Sequence, residues 1–197
     1  MSSDALDPIT PSRTALLVMD YQQAIIEMLP DGEELVAVTR NLIRTMREHG
    51  VTVAYVRVAF SEGDWVGVRA TSGMARRLRG GSGDFDVDSP RTQIPQELAP
   101  LDGDIVVVKK RVGPFGTTDL HQQLEARGID TLVLAGISTS GVVLSTVRDA
   151  YDRDYRVIVV AEACADREAD VHSFLTERVF PRQAEVMDVR ELHALLH

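Results

Sequence analysis

Short, nearly continuous apolar runs alternate along the chain with stretches whose apolar residues recur every three or four positions. Leu16-Leu17-Val18-Met19 is the first such run and stops at Asp20. Val51–Val58, Ile105–Val108, Thr131–Ala135, Arg156–Ala161 and Ala184–Val189 follow. Runs this apolar and this short suit strands that are covered on both faces, as in parallel sheets. The intervening pattern is helical. Leu35, Val38, Leu42, Ile43 and Met46 fall on one helix face and stop before Gly50, a natural C-terminal cap. Leu120–Arg127 before Gly128, Val142–Arg153, Ala169–Val179 and Glu191–Leu196 predict four more helices. Strand-helix alternation with right-handed crossovers predicts an α/β fold, a three-layer α/β/α sandwich around a mainly parallel six-stranded sheet. In such sheets ligands bind beyond the carboxyl ends of the strands.

Residues 59–101 break the alternation. They hold six glycines (63, 67, 73, 80, 81 and 83) and then Pro90, Pro95 and Pro100. A segment of this kind reads as an excursion over the sheet, either a lid or an oligomer contact, and not as a second domain. Residues 1–12 read as a polar lead-in with Pro8 and Pro11, lacking the basic start and apolar stretch of a secretory signal. The whole chain, 197 residues, therefore reads as a single domain.

Composition narrows the partners. A net charge of -9 disfavours nonspecific binding to nucleic acid or to an anionic membrane. No apolar run approaches the roughly 20 residues of a membrane span. The one cysteine, Cys164, excludes an intrachain disulfide and a multi-cysteine metal site. Its setting, Ala161-Glu162-Ala163-Cys164-Ala165, fits a small buried residue better than a nucleophile. A reducing, cytoplasmic location is the simplest expectation. The five histidines (49, 121, 172, 193 and 197) show no metal-ligand spacing and read as structural or solvated. No metal or other cofactor is expected.

Three strand ends carry polar residues that could do chemistry. Asp20 follows the first apolar run directly, where a carboxylate faces the expected crevice or caps a turn. Lys109, Lys110 and Arg111 follow the third; strand alternation puts Lys109 and Arg111 on one side and Lys110 on the other. Such a run of cations is otherwise a solvated surface. Gly136-Ile137-Ser138-Thr139-Ser140-Gly141 joins the fourth strand to a helix, where backbone N–H groups favour anions. It is neither a dinucleotide fingerprint nor a phosphate loop.

A strand ending in Asp20, a strand ending in Lys109 with Phe115-x-x-x-Asp119-Leu120 downstream, and a strand followed by Gly136-x-x-Thr139-Ser140-Gly141 together resemble the isochorismatase-like, or cysteine hydrolase, superfamily. The resemblance runs from Thr14 to Val189. It implies catalytic roles for Asp20 and Lys109, a cis peptide at Ile137-Ser138, and an oxyanion-binding turn. The family's nucleophilic Cys falls on Val142: Thr-Ser-Gly-Cys-Val reads Thr139-Ser140-Gly141-Val142-Val143 here. The Asp-x-His metal pair of nicotinamidases is replaced by Val58-Ala59-Phe60-Ser61. Some isochorismatases resemble the chain in keeping the Asp without the Cys. Their reaction implies that Asp20 protonates a vinyl ether and that water adds to the resulting cation.

Ser138, Thr139, Gly141 and Val142 would then line the substrate, with Arg111 holding a substrate carboxylate. Tyr21, Trp65 and Phe115 could line an apolar pocket. The expected function is hydrolysis of a small, carboxylate-bearing metabolite with Asp20 as general acid/base and no covalent thioester. The alternative is a catalytically inactive relative acting as a binding or assembly module. The resemblance also implies a homodimer or homotetramer.

Overall fold

A computed structural model describes residues 7–73, 76 and 85–196. Gly80, Gly81, Gly83 and the first half of the lead-in lie outside the described residues. Six strands form one sheet: β1 (Thr14–Met19), β2 (Thr52–Val58), β3 (Ile105–Lys109), β4 (Thr131–Ile137), β5 (Arg156–Ala165) and β6 (Glu185–Met187). Their order is β3-β2-β1-β4-β5-β6 and every pairing is parallel. The order reverses between β1 and β4, so the crevice at the carboxyl edge opens there. The helices are α1 (Gln23–Ile26), α2 (Gly32–Glu48), α3 (Glu62–Val66), α4 (Leu120–Ala126), α5 (Leu144–Tyr151), α6 (Ala169–Phe174) and α7 (Val189–Ala194).

Strand alternation divides the core into two layers. Leu16, Val18, Val53, Tyr55, Val133 and Ile158 pack with Leu42 and Met46 of α2. Leu17, Met19, Val56, Val107, Leu134 and Val159 pack with Leu120, Leu124 and Val147 on the other face. β1 and β4 are buried at every residue, which explains their unbroken apolar runs. Burying a side chain such as Leu42 or Met46 contributes about 2 kcal/mol. Helix α2 stops where the pattern predicts. Gly50 takes φ +77°, its N–H donates to Arg47 O (2.9 Å) and the Val51 N–H to Met46 O (3.0 Å).

Three boundaries differ from the pattern. The helix predicted from Val142 begins at Leu144 and is preceded by a wide turn over Thr139–Val143. The Val143 N–H reaches back five residues to Ser138 O (3.3 Å), which opens the first turn. The helix predicted over 169–179 keeps α geometry only to Phe174, then continues as a similar wide turn over Leu175–Val179. β5 runs on to Ala165, past the predicted end at Ala161, because a bulge lets the strand resume. Cys164 therefore lies inside the sheet beside Gly136, not after the strand.

The excursion is fastened to the carboxyl edge of the sheet. Phe60 bridges to Asp86, with the Phe60 N–H donating to Phe85 O (2.8 Å) and the Val87 N–H to Phe60 O (3.0 Å). Buried Gln22 is the main fastener. Its Nε2 donates to Val58 O (2.9 Å) and Thr92 O (2.7 Å), and its Oε1 accepts the Val58 N–H (2.7 Å). Arg57 adds bonds to Thr92 O and Gln93 Oε1, both 3.2 Å.

Two substitutions test this arrangement. Gln22→Met keeps the volume but takes the side-chain partner from the Val58 N–H and C=O and leaves Thr92 O to Arg57 alone; a loss of about 2–3 kcal/mol in urea unfolding is expected. Gly136→Ala puts a Cβ 2.9 Å from Val143 Cγ2 and 3.3 Å from the Met19 side chain. Overpacking at this site is expected to cost about 1–3 kcal/mol in the same measurement.

Candidate active site

Asp20 is the residue at which β1 leaves the sheet. Its N–H still donates to Val56 O (2.8 Å), but its φ is +61°. The left-handed region costs a non-glycine residue roughly 1–2 kcal/mol, and Asp bears it better than most. The Gln22 N–H closes a tight turn onto Asp20 O (2.8 Å). This turn aims the carboxylate across the end of β2 toward β3. Lys109 ends β3 opposite Val58 and reaches back the same way. Lys109 Nζ lies 2.8 Å from Asp20 Oδ2, with both residues buried.

The two partners are satisfied unequally. Lys109 Nζ also donates to Val112 O (2.9 Å) and Arg111 O (3.2 Å), so its three protons have three acceptors. Asp20 Oδ1 is buried with no hydrogen-bond partner. Burial pushes the Asp20 carboxyl above the ordinary carboxylate range; the Lys109 ammonium pulls it down but does not cancel the effect. A buried carboxyl with one free oxygen can give or take a proton at whatever sits against it.

The other cations go elsewhere. β3 ends at Lys109, so strand alternation does not extend to Arg111. Arg111 is exposed and donates to the Lys110 carbonyl (2.6 Å). Lys110 Nζ contacts Asp64 (2.7 Å) and donates to Ala59 O (2.7 Å), above the Phe60 ring. Lys110, together with Ser61, holds the Asp64 carboxyl down at about 2. Asp64 also caps α3 with Ser61.

The third wall is the turn from β4 into α5, which carries a cis peptide at Ile137-Ser138. The Gly141 N–H donates to Ser138 O (3.1 Å), and a Cβ at 141 would stand 2.7 Å from Ser138 Oγ. Val142 is buried in the core layer that contains Met19 and Phe115. Thr139 is wholly buried, with its hydroxyl 2.8 Å from His172 Nδ1. The Ser140 N–H donates to Asp166 Oδ2 (2.7 Å). His172 and Asp166 thus hold the turn from the segment that follows β5. Spacing in the sequence gave no sign of either, since both contacts span a crossover.

The remaining residues serve packing. Tyr21 is buried with its hydroxyl between Thr39 Oγ1 (2.7 Å) and Ala163 O (2.8 Å). Trp65 stacks on Phe60 at 4.2 Å, and Phe115 packs in the core near Tyr155. Burial pushes the Cys164 thiol up to about 12, so it stays protonated and unreactive. A cleft of about 510 Å³ lies near α2, lined by Asp31, Glu34, Glu162, Asp166, Arg167 and Val189 among others. Neither Asp20 nor Lys109 lines it.

Comparison with known proteins gives this arrangement its lineage. An Isochorismatase domain matches residues 14–191. The uncharacterized isochorismatase family protein YwoC of Bacillus subtilis is 34% identical over 170 residues, covering 86% of this chain and 87% of that protein. The structure of an isochorismatase family protein from Burkholderia thailandensis superposes with a TM-score of 0.84 at 29% identity, over 97% of this chain and 99% of that one. N-carbamoylsarcosine amidase from Thermoplasma acidophilum does so with 0.74 at 30% identity, over 89% and 96%. With the matched span and the superposed structures in agreement, the chain belongs to the isochorismatase family of hydrolases.

Proposed function

We propose that the protein hydrolyses a small, carboxylate-bearing metabolite by proton transfer from Asp20, without a covalent enzyme intermediate. The observation that carries this reading is the buried Asp20 carboxyl, with one oxygen on Lys109 and the other unpartnered. In this reading Oδ1 faces the reacting atom. Lys109 orients the carboxyl and offsets the charge left when its proton departs. The proton goes to the substrate, a vinyl-ether carbon in the simplest case. Water then adds to the resulting cation and returns a proton to Asp20. A nucleophilic side chain has no part in these steps, which accords with Val142 at the head of the turn. Arg111, exposed two residues beyond Lys109, is the group proposed to meet a substrate carboxylate.

One observation favours a second reading, a non-catalytic relative. The Asp20–Lys109 pair is shut off from solvent, and the 510 Å³ cleft lies elsewhere. Turnover separates the two readings.

A hydrolysis screen of enol ethers, small amides and ureides is expected to find turnover in the wild-type chain. Asp20→Asn keeps the shape and tolerates the positive φ, so the fold should persist by circular dichroism. Its rate should fall on the order of 10²- to 10⁴-fold, the usual worth of a general acid. Turnover should also fall as pH rises through the Asp20 pKa, which burial holds above the ordinary range. An Asp20→Asn variant as fast as wild type would exclude the acid role. Absence of turnover on every class would favour the non-catalytic reading.

Val142→Cys tests the thiol-free step separately. It is expected to add burst hydrolysis of amides, with a covalent acyl adduct visible by mass spectrometry that wild type does not form.

A further inference from the structure

The turn Ser138–Val142 forms one wall of the site. Local bonds hold part of it: the Leu144 N–H donates to Thr139 O and Gly141 O, and the Thr146 hydroxyl to Val142 O (2.7 Å). The Gly141 and Val143 N–H groups both converge on Ser138 O, at 3.1 and 3.3 Å. From outside come the Asp166 carboxylate on the Ser140 N–H and the His172 ring on the Thr139 hydroxyl. The second contact is directional. Thr139 is completely buried, and His172 Nδ1 is the one hydrogen-bond partner of its hydroxyl among the described residues.

A hydroxyl carries one proton. With a neutral imidazole protonated on Nε2, Nδ1 accepts that proton and both groups are satisfied. An imidazolium reverses the geometry. Its Nδ1–H becomes a donor, the Thr139 oxygen must accept, and the threonine proton is left facing no acceptor in a dry site. We propose that His172 is a positioning residue: neutral, it locks the Ser138–Val142 turn through Thr139, and its protonation releases the turn and shuts the site down in acid. The proposal concerns regulation of the same site and rests, for its effect on turnover, on the reading of Asp20 as the acid.

The surroundings agree. Half-burial disfavours the imidazolium and holds the His172 pKa below its usual value, while the nearby Asp166 opposes this. The Asp166 oxygens already accept from the Ser140 and Arg167 N–H groups (2.7 and 2.9 Å). The turn facing His172, Ser138–Val143, has no charged residue. The charged residues of its own segment are Arg167, Glu168 and Asp170, and those of the following turn are Glu177 and Arg178.

Sign follows from direction. His172 ionises below the usual histidine value in the folded chain, so the lock is complete above that usual value. It is lost as pH falls through the folded pKa. Where Asp20 gives up its proton at a higher pH than His172 does, turnover is bell-shaped and His172 sets its acid limb.

The test is an NMR titration of the intact chain, which does not depend on finding a substrate. Long-range ¹H–¹⁵N spectra should show His172 Nδ1 unprotonated at neutral pH. The backbone cross-peaks of 138–143 should move with the titration of His172. Thr139→Val removes the proton that stabilises the neutral ring and should raise the His172 pKa. His172→Asn, whose amide oxygen can take the place of Nδ1, should leave those cross-peaks near their wild-type positions and insensitive to acid. His172→Leu should shift them at every pH. Nδ1 protonated at neutral pH, a His172 pKa unmoved by Thr139→Val, or turn cross-peaks that titrate unchanged in His172→Asn would each overturn the proposal. Where a substrate is turned over, His172→Asn should keep the plateau rate within about threefold and lose the acid limb. An Asp20→Asn variant without effect on rate would undo the reading of Asp20 and leave the NMR result standing by itself.

Discussion

The buried contact between Asp20 and Lys109 governs the carboxyl edge of the sheet. Two ionisable groups without water are costly, and removing one partner from a buried pair costs about 3–5 kcal/mol. The fold meets this by satisfying Lys109 completely, with two carbonyls of the segment after β3 as well as the carboxylate. That requirement turns the Arg111 and Val112 carbonyls toward Lys109 and ties the end of β3 to the end of β1 across β2. Asp20 is left under-satisfied, and its backbone is held at a positive φ. Unrelieved polarity and backbone strain thus meet in one residue.

Around that pair the sheet supplies rigidity and the loops supply shape. Gln22, two residues after Asp20, joins the end of β2 to the returning excursion at Thr92. Asp166 and His172 do the corresponding work for the turn after β4. Each fastener is a side chain bonding to a distant segment, so crossover contacts join the local turn bonds around the pair.

The difference between crossover and local contacts explains what was legible in the sequence. All six strands were visible as short apolar runs; β1 and β4 are buried at every position and so must be continuously apolar, while the edge strand β3 stays apolar although Val106 is exposed. Asp20 and Lys109 were visible for the same reason, as polar residues ending apolar runs. The glycine at 50 marked a real helix end because only a left-handed cap closes there. Gln22 and His172 were not visible. An amide or an imidazole shows no partner in a linear pattern, and histidine spacing matters only when histidines bind together. The late end of β5 was hidden because Glu162 interrupts the apolar run at the bulge. Arg111 shows the opposite failure: alternation was extended past the last residue that pairs.

The bulge in β5 has a consequence of its own. The offset between paired residues of β4 and β5 is 25 at Leu134–Val159 and 28 at Gly136–Cys164, so β5 absorbs three extra residues between them. An odd surplus inverts the phase of the strand. Before it, Val157 and Val159 face the layer of α4 and α5; after it, Cys164 does, while Ala163 turns to the α2 side. The strand thus has two independently indexed halves. Its first half is locked in step with the core, and its second half carries Asp166 and the path to His172. Lengthening or shortening the bulge by two residues would preserve that phase. A change of one residue there would instead exchange Ala163 and Cys164 between the two core layers, so the length of the bulge decides which side of the sheet the lone thiol occupies.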